Sequence, residues 1–355
     1  MYKGEDLLND KLDKLKKEIQ SFFDKGTVTI VGSGLSCAEG ISGMKGLSER
    51  LIKYVPSELN SQDEIEWSKV NKALNDGLDL ESALQMTKVS SEVEKQIIKH
   101  SYELISSEDK NVFIDIIKRG RKLIFCEYLS KFNLDIYDLV VITTNYDLLI
   151  EYACESKGYA YLDSFCGGII SKYILNSQGT QNSRIDCMKR SFVNNSSTKH
   201  HIKIYKPHGS INWKYINDTL YKINHMDCGT PCIITPGSNK YEKGYNPPFD
   251  FHIGKMGQEI DSAKRLVFIG YGFNDNHLET HLVNNKDKPK LIVAKALSNN
   301  AKKIIEDSQN TIALEENIVE GGTVGTKVYI DNQTYEIKDK KIWDLKELIK
   351  EIFNE

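Results

Sequence analysis

The sequence lacks three features that would each assign it to a broad class: a long apolar run, an excess of basic residues and repeated cysteine pairs. No stretch approaches the roughly 18 consecutive apolar residues that a membrane-spanning helix needs. The formal net charge of −3 gives no reason to expect a nucleic-acid partner, because such partners usually require a basic face. One short basic patch is expected to be solvated and comprises Lys199, His200, His201, Lys203 and Lys206. We therefore expect no membrane contact and no direct nucleic-acid contact.

The seven cysteines are scattered along the chain and do not have the spacing of a structural zinc site. The closest pair, Cys228 and Cys232, has no second close pair beside it, whereas structural zinc sites usually draw on two pairs. An odd number of cysteines also argues against a disulfide framework. Lys11, Lys14 and Lys16 interrupt the apolar positions near the N-terminus, which is not typical of a secretory signal. We expect free thiols, no bound metal and a cytoplasmic location.

Short apolar runs that end in glycine or polar residues recur along the chain and indicate an α/β fold. Strands are predicted at 28–31, 139–143, 202–205, 266–269 and 291–294. Helical periodicity separates them, which favours parallel strands. The carboxyl edge of such a sheet is where these folds bind nucleotides, so the residues that follow each strand are the candidates for function.

The remaining segments predict how the chain is organised around this sheet. Residues 1–25 form an amphipathic helix that packs either on the sheet or against another subunit, and residues 48–134 form a helical subdomain. Residues 174–200 are a polar loop insertion, and residues 301–355 extend the main domain (26–300) with a hairpin at 327–337 and a helix. Core positions of the helical subdomain are predicted at Leu51, Trp67, Leu74, Leu84, Ile97 and Ile117.

A glycine turn, Gly32-Ser33-Gly34, follows the first strand. Glycine lets the backbone approach a pyrophosphate closely, and the start of the next helix offers free N–H groups. The dinucleotide fingerprint of dehydrogenases requires a third glycine where this chain has Cys37, and an acidic residue about 20 positions on, which is missing. The turn is therefore either a phosphate site of another kind or a tight strand-to-helix turn.

Polar residues follow the later strands as well. Asn145 and Asp147 could cap the next helix, but the amide of Asn145 could also hold a water or a sugar hydroxyl. His208 lies in a short turn, and imidazole suits a base that accepts and returns a proton near neutral pH. Gly270, Gly272 and Asp275 form a second glycine turn whose acid could cap a helix or bind a hydroxyl. His277, just beyond that turn, is expected on a helix surface.

The motifs G-S-G-L-S, T-T-N-Y-D, K-P-H-G-S and I-G-Y-G-F-N-D occur in this order at strand ends. This arrangement resembles the sirtuin family, and more narrowly the sirtuin-like NAD hydrolases that act as effectors in bacterial antiphage defence. The resemblance covers residues 25 to 295. It implies a Rossmann-like, doubly wound and mostly parallel sheet, with NAD+ lying across the strand ends and a smaller helical subdomain closing over it.

By position, the resemblance implies roles for individual residues. Asn145, Asp147 and His208 would be catalytic, with His208 deprotonating a ribose hydroxyl. The nucleotide would contact residues of both glycine turns and of the segment after the second strand, namely Gly32, Ser33, Gly34, Ser36, Thr144, Gly270, Gly272 and Asp275.

Two departures from the deacylating sirtuins favour hydrolysis of NAD+ itself. Those enzymes carry a zinc module with paired cysteines, and an acid–Phe–Arg run after the glycine turn, where this chain has G-I-S-G-M-K-G at 40–46. We therefore expect an NAD+ hydrolase without zinc that releases nicotinamide and ADP-ribose, and that acts in abortive infection by depleting NAD+. The resemblance also implies control by homo-oligomerisation or by a separate regulatory protein, such as a neighbouring ATPase or nucleotide sensor. A zinc-free deacylase and a non-catalytic sensor of NAD or ADP-ribose remain as alternatives.

Overall fold

The computed structural model describes residues 2–167, 170–173, 200–224, 228–237, 244–318, 324–330 and 333–354. The predicted insertion at 174–200 lies outside these residues except for His200. The described part is a mixed α/β protein with two sheets.

The main sheet has nine strands in the order β14-β13-β12-β11-β10-β1-β2-β6-β3. Their bounds are β1 (Thr27–Val31), β2 (Leu139–Thr143), β3 (Tyr161–Leu162), β6 (Ile202–Tyr205), β10 (Arg265–Ile269), β11 (Lys290–Val293), β12 (Thr311–Ile318), β13 (Val324–Ile330) and β14 (Gln333–Ile337). The strands from β12 to β3 are parallel, and β13 and β14 form an antiparallel edge. The predicted Rossmann-like, mostly parallel sheet is therefore confirmed, as is the hairpin near the C-terminus.

The chain reverses its direction of winding between β1 and β10. From β1 the chain proceeds to β2 and β6 on one side, and it later returns to β10 on the other side of β1 before it continues to β11 and β12. Such a reversal opens a crevice at the carboxyl ends of the two strands, because the connections leave them in opposite directions. The topology thus places the ends of β1 and β10, both followed by glycine turns, beside this crevice.

Helices cover both faces of the sheet. Their bounds are α1 (Tyr2–Gln20), α2 (Ser33–Ala38), α3 (Met44–Tyr54), α4 (Ser61–Asn75), α5 (Leu80–Met86), α6 (Ser91–Arg119), α7 (Ile124–Leu129), α8 (Leu149–Lys157), α9 (Phe249–Ser262), α10 (Asn276–Asn284), α11 (Asn299–Asp307) and α12 (Leu345–Phe353). Strand β10 shows why both faces need cover: Leu266 and Phe268 join the core beneath α9 and α10, while Val267 and Ile269 join the core beneath α1, α7 and α8.

The N-terminal helix packs on its own chain. Leu15, Ile19 and Phe22 are buried in the core that also contains residues of α12 and the sheet. Lys16 forms a 2.7 Å ion pair with Glu351 of α12. Of the two alternatives drawn from the sequence, packing on the sheet accounts for these positions.

Helices α3 to α6 bury a core of their own beside the sheet. Leu51, Trp67, Leu84 and Ile97 belong to it, as the periodicity predicted. Ile117 does not, since 67% of its surface is exposed. It follows Val112, which is buried in the main core, by five positions, so it lies about 140° around the α6 axis from that buried side chain.

A second, antiparallel sheet of five strands was missed by the sequence reasoning. Its order is β4-β5-β8-β7-β9, and its strands are β4 (Phe165–Gly167), β5 (Ile170–Tyr173), β7 (Gly209–Ile216), β8 (Thr219–Ile223) and β9 (Thr230–Ile233). A signal was available, because polar and apolar residues alternate along 210–215 and Asn217 and Asp218, both with positive φ, provide a two-residue hairpin turn. This sheet matters for the site because β7 begins immediately after His208.

The two glycine turns pack directly on each other at the reversal point. A Cβ on Gly32 would lie 2.5 Å from the carbonyl oxygen of Gly270, and one on Gly34 would lie 2.6 Å from the Gly270 Cα. Gly270 itself has φ of +57°, which favours glycine. The amides of Gly32 and Gly34 already donate to Ile269 and Gly270 carbonyls at 2.9 Å. Close backbone packing therefore accounts for these glycines, and their N–H groups are engaged within the protein.

Gly34→Ala tests this packing. We expect it to lower the free energy of unfolding by about 1–3 kcal/mol, because the added methyl group meets backbone that cannot rotate away. The matched control is Gly254→Ala on α9, where the added Cβ would meet no atom within 4 Å apart from the neighbouring backbone of its own helix. This variant should leave stability unchanged or raise it by up to about 1 kcal/mol. Urea unfolding measures both, and equal stability of the two variants would contradict the packing argument.

Candidate functional site

A cavity of ≈ 150 Å³ lies where the segments after β1, β2 and β10 meet. It adjoins an open groove of ≈ 650 Å³, with which it shares Ser33, Gly43, Met44, Tyr271 and Gly272. Every site residue predicted from the sequence lines one or the other. The cavity wall contains Gly32, Ser33, Ser36, Thr144, Asn145, Asp147, His208, Gly272 and Asp275, and the groove wall adds Gly34 and Gly270.

The carboxamide of Asn145 is held by the first glycine turn. Its Nδ2 donates to the Gly32 carbonyl at 2.9 Å and to the Ser36 hydroxyl at 2.8 Å. Its backbone N–H donates to Thr143 Oγ1 at 3.1 Å, which fixes the start of the segment. These bonds engage the nitrogen, and no described residue hydrogen-bonds the carboxamide oxygen. That oxygen is the part of Asn145 left to accept a hydrogen bond from a ligand.

Asp147 is buried, and its polar atoms are taken up by the protein. One carboxylate oxygen accepts from Ser36 Oγ at 2.5 Å, and the other accepts from the Leu149 amide at 3.2 Å, at the start of α8. Ser36 thus lies between Asn145 and Asp147, as acceptor for one and donor to the other. The geometry favours a positioning role for Asp147 over direct contact with a substrate.

His208 lies at the junction of the two sheets. Its Nε2 is 2.6 Å from Asp275 Oδ2, although the two residues are far apart in the sequence. The carbonyl of His208 accepts from the Ile234 amide, and the next residue, Gly209, has φ of +84°. A Cβ at Gly209 would lie 2.2 Å from the Cys232 carbonyl oxygen, so only glycine lets β7 begin here. The turn therefore holds the imidazole at the cavity edge.

The two carboxylate oxygens of Asp275 have different partners. Its Oδ1 accepts from the His277 and Leu278 amides at 3.0 and 3.2 Å, which caps α10 and confirms the capping alternative. Its Oδ2 faces His208, a contact that the sequence did not indicate. His277, expected on a helix surface, is half-buried in the first turn of α10.

The resemblance implied a helical subdomain that closes over the site, but sequence reasoning named none of the residues that helices α3, α5 and α6 contribute to the cavity wall. Met44 and Leu47 come from α3, Glu81 from α5 and Ile105 from α6. Glu108 of α6 also accepts from the Ser42 amide and hydroxyl at 2.7 and 2.8 Å, which fixes the segment before α3. No motif marks these residues, because their arrival at the cavity depends on how the helices dock.

Charge is distributed unevenly between the cavity and the groove. The cavity wall carries the carboxylates of Glu81, Asp147 and Asp275 beside His208. The groove wall instead carries Lys45 and Lys295 with Glu49. The arrangement suits a ligand that is positively charged at one end and negatively charged at the other.

Asp109 connects α6 to the segment that bears Asn145. Its carboxylate accepts from the Leu148 amide at 2.8 Å and from the Tyr152 hydroxyl at 2.6 Å. Burial raises the pKa of Asp109 to about 7, and these two hydrogen bonds oppose the rise only partly. In the sequence Asp109 sits in a run of charged residues that is typical of a solvated helix face, so nothing there distinguished it.

Within the described ranges no group of three His, Cys, Asp or Glu side chains is placed to hold a metal ion. Among the same residues, no helix combines the length and apolarity needed to cross a bilayer.

Residues 139–311 match the family model described as the SIR2-like domain. The matched segment begins with β2 and ends at the first residue of β12, so it contains Asn145, His208 and Asp275, while the first glycine turn and helices α3 to α6 precede it. The matched segment is therefore similar to the SIR2-like domain. No curated protein sequence matches it significantly.

Several solved structures also align with the chain at low identity. One described as the structural basis for the mechanism and regulation of Sir2 enzymes has 12% identity and a TM-score of 0.45, covering 97% of this chain and 98% of the other. A Sir2 homolog–NAD complex has 13% identity and a TM-score of 0.42, with coverages of 96% and 94%. A mutant Sir2 homologue in complex with ADP ribose has 14% identity, a TM-score of 0.39 and coverages of 96% and 96%.

The pKa of Asp109 predicts a pH dependence of stability. Its value of about 7 in the folded chain exceeds the 3.8 of an ordinary aspartate, so the folded state binds more protons between these two values. Stability from this group therefore falls as pH rises from about 4 to about 7. Asp109→Asn cannot ionise; its oxygen still accepts from the Leu148 amide, and its NH2 group donates to the Tyr152 hydroxyl, which becomes the acceptor. The stability of this variant relative to wild type should therefore increase over that range. Urea unfolding at a series of pH values checks this, and a constant difference would contradict it.

Proposed function

We propose that this protein is an NAD+ hydrolase that cleaves the bond between nicotinamide and C1 of the adjacent ribose. The observation that carries the proposal is the meeting of Asn145 and His208 in one cavity, at the reversal point of a mostly parallel sheet, in a chain whose residues 139–311 match the SIR2-like domain model. A crevice at that point is where α/β folds bind nucleotides.

Size and charge support this substrate. The cavity of ≈ 150 Å³ suits the nicotinamide end, and the groove of ≈ 650 Å³ suits the adenosine diphosphate. Nicotinamide in NAD+ carries a positive charge, which the carboxylates of Glu81, Asp147 and Asp275 favour. The diphosphate is negative, and Lys45 and Lys295 of the groove favour it. Ser33 lies between the two ends, in the wall common to both.

The proposed reaction needs stabilisation of charge and an oriented water. The nicotinamide leaves with the electrons of the C–N bond and becomes neutral, while the ribose gains oxocarbenium character. The carboxylates of the cavity favour this positive charge. Water then adds to C1, and the proton it loses passes to His208, directly or through a ribose hydroxyl. The products are nicotinamide, ADP-ribose and one proton.

In this proposal, Asn145 orients the water or a ribose hydroxyl, and Asp275 stabilises the protonated form of His208. The Asn145 nitrogen is fixed by Gly32 and Ser36, so its oxygen is directed to accept from the water or from a ribose hydroxyl. The Asp275 carboxylate, 2.6 Å from His208, stabilises the imidazolium that forms when the base takes up a proton.

We further propose that the activity depletes cytoplasmic NAD+ as a defence effector, and that it is held in check until triggered. Self-assembly or a separate regulatory protein, such as an ATPase or nucleotide sensor, would supply the trigger. Met44 and Leu47 of α3 and Glu81 of α5 line the cavity. A partner that displaces these helices would therefore change access to the site.

Substitution of the two central residues tests the proposal. His208→Ala should lower the rate of nicotinamide release by about 100- to 10,000-fold, the usual effect of losing a general base. Asn145→Ala should lower it on the order of 100-fold, because the reacting groups lose their alignment. The assay supplies NAD+ without any acyl-peptide, with and without proteins encoded beside this chain.

His281→Ala is the matched control, because His281 forms a comparable pair with Asp261, at 3.1 Å, on α10 and α9 and outside the cavity. It should retain full activity. Undiminished nicotinamide release by His208→Ala would refute the proposal. Release only after an acyl-peptide is added would indicate a deacylase, and calorimetric binding of NAD+ with no turnover would indicate a sensor.

Asp275→Asn tests the pairing of His208. Asparagine keeps an oxygen to cap α10 but removes the negative charge beside the imidazole. Loss of a charge-assisted interaction of about 1.5–3 kcal/mol predicts a kcat lower by about 10- to 100-fold. Asp261→Asn provides the comparison and should leave kcat unchanged. Equal kcat values for both variants would show that Asp275 only caps the helix.

A further inference from the structure

Lys206 is fully buried, although it was predicted to lie in a solvated basic patch. The prediction was wrong because the side chain points into the protein, where its ammonium donates to the backbone carbonyl of Asp147 and, at 3.1 Å, to Glu151 Oε1 of α8. A buried ammonium is costly unless its hydrogen bonds and its charge are matched. The ammonium therefore strongly favours the arrangement in which the Asp147 carbonyl and the Glu151 carboxylate remain beside it.

The main chain of Lys206 shapes the turn that presents His208. Its carbonyl accepts from the Gly209 amide at 3.0 Å, which closes the turn around His208, and its amide donates to His252 Nδ1 at 3.2 Å. The main chain therefore fixes one half of the candidate site, while the side chain reaches the other half at Asp147.

The segment on which the ammonium acts carries Asn145. Its other restraints include the Tyr146 carbonyl, which accepts from the Ile211 amide at 2.9 Å, and the Asp147 carboxylate, which accepts from Ser36. The Asp147 carbonyl accepts from Lys206 directly. Without the ammonium, this carbonyl would be buried with no cation to bind it.

Lys206 also offsets part of the negative charge of a group of buried carboxylates. Glu151 and Asp147 are buried beside it, and its charge opposes the raised pKa of Asp109. Burial raises the pKa of Glu151 as well, and the Lys206 charge again opposes the rise. Removing this cation would leave three acidic side chains close together in a region of low polarity.

We propose that Lys206 is a positioning residue for the cleavage of NAD+. Its side chain and main chain join the turn of His208 to the segment of Asn145 and hold the two in register. This inference rests on the proposed function. Lys206 touches no substrate in this proposal and acts through the Asp147 carbonyl and the closed turn. Its loss should therefore change the rate of the chemical step and leave substrate affinity nearly unaltered.

The test compares Lys206→Met with Lys290→Met. Lys290 is also fully buried on the main sheet, and its ammonium donates to the carbonyls of Asn285, Lys286 and Lys288. Lys290 is the first residue of β11, so it lies at the amino ends of the parallel strands, whereas the candidate site lies at their carboxyl ends. At a temperature where all proteins are folded, Lys206→Met should lower kcat for nicotinamide release on the order of 100-fold with KM unchanged. Lys290→Met should retain the wild-type kcat, whatever stability it loses.

Hydrogen exchange supplies a measurement that does not depend on activity. Amides of residues 145–149 should exchange faster in Lys206→Met than in wild type, and Lys290→Met should not show this change. Wild-type kcat in Lys206→Met, or unchanged exchange in that segment, would overturn the inference.

Two other experimental results would need a separate interpretation. If the wild type does not cleave NAD+ under any condition, the proposed function fails, and exchange alone decides whether Lys206 positions the segment. If Lys206→Met does not fold, Glu151→Ala replaces it, because it removes one of the two acceptors that hold the ammonium. A lower kcat and faster exchange in that variant support the inference, and wild-type values of both reject it.

Discussion

The contact between Gly32, Gly34 and Gly270 is the constraint on which the rest of the site depends. Two strand-end turns meet there with backbone against backbone, at a distance that excludes any Cβ. On one side of this contact, the Gly32 carbonyl accepts a hydrogen bond from the carboxamide nitrogen of Asn145. On the other side, the chain continues directly to Asp275 and so to His208. A larger residue at the contact would separate β1 from β10 and thereby move both groups of the candidate site.

A buried polar network extends from this contact toward the helical subdomain. It runs from Asn145 through Ser36 and Asp147 to Lys206, and Asp109 of α6 binds the adjacent amide. Buried polar groups are costly when unpaired, so each member restricts the positions of its neighbours. The same helix holds the Ser42 segment, which also lines the cavity, through Glu108. A displacement of α6 would therefore move both of these segments of the cavity wall.

Local patterns predicted the main sheet well, because a short apolar run between polar segments has few other stable arrangements. The strands and the residues that follow them could be named in advance for the same reason. The second sheet was missed, although Asn217 and Asp218 offered a hairpin signal. Lys206 was misjudged because a charged side chain can be buried only where its partners are, and Asp147 and Glu151 are remote in the sequence. Asp109 carried no local mark for a similar reason.

The sequence by itself determined the parallel sheet, the glycine turns and the identity of Asn145 and His208 as candidates, since all of these follow from apolar periodicity and the chemistry of strand ends. The tertiary structure decided what those residues touch. It placed Asp275 against His208, paired the amides of Gly32 and Gly34 with backbone carbonyls, and buried Lys206 between the two halves of the site. The physical reason is that hydrogen bonds and burial depend on distances between segments, which winding order and helix docking set and which no local pattern contains.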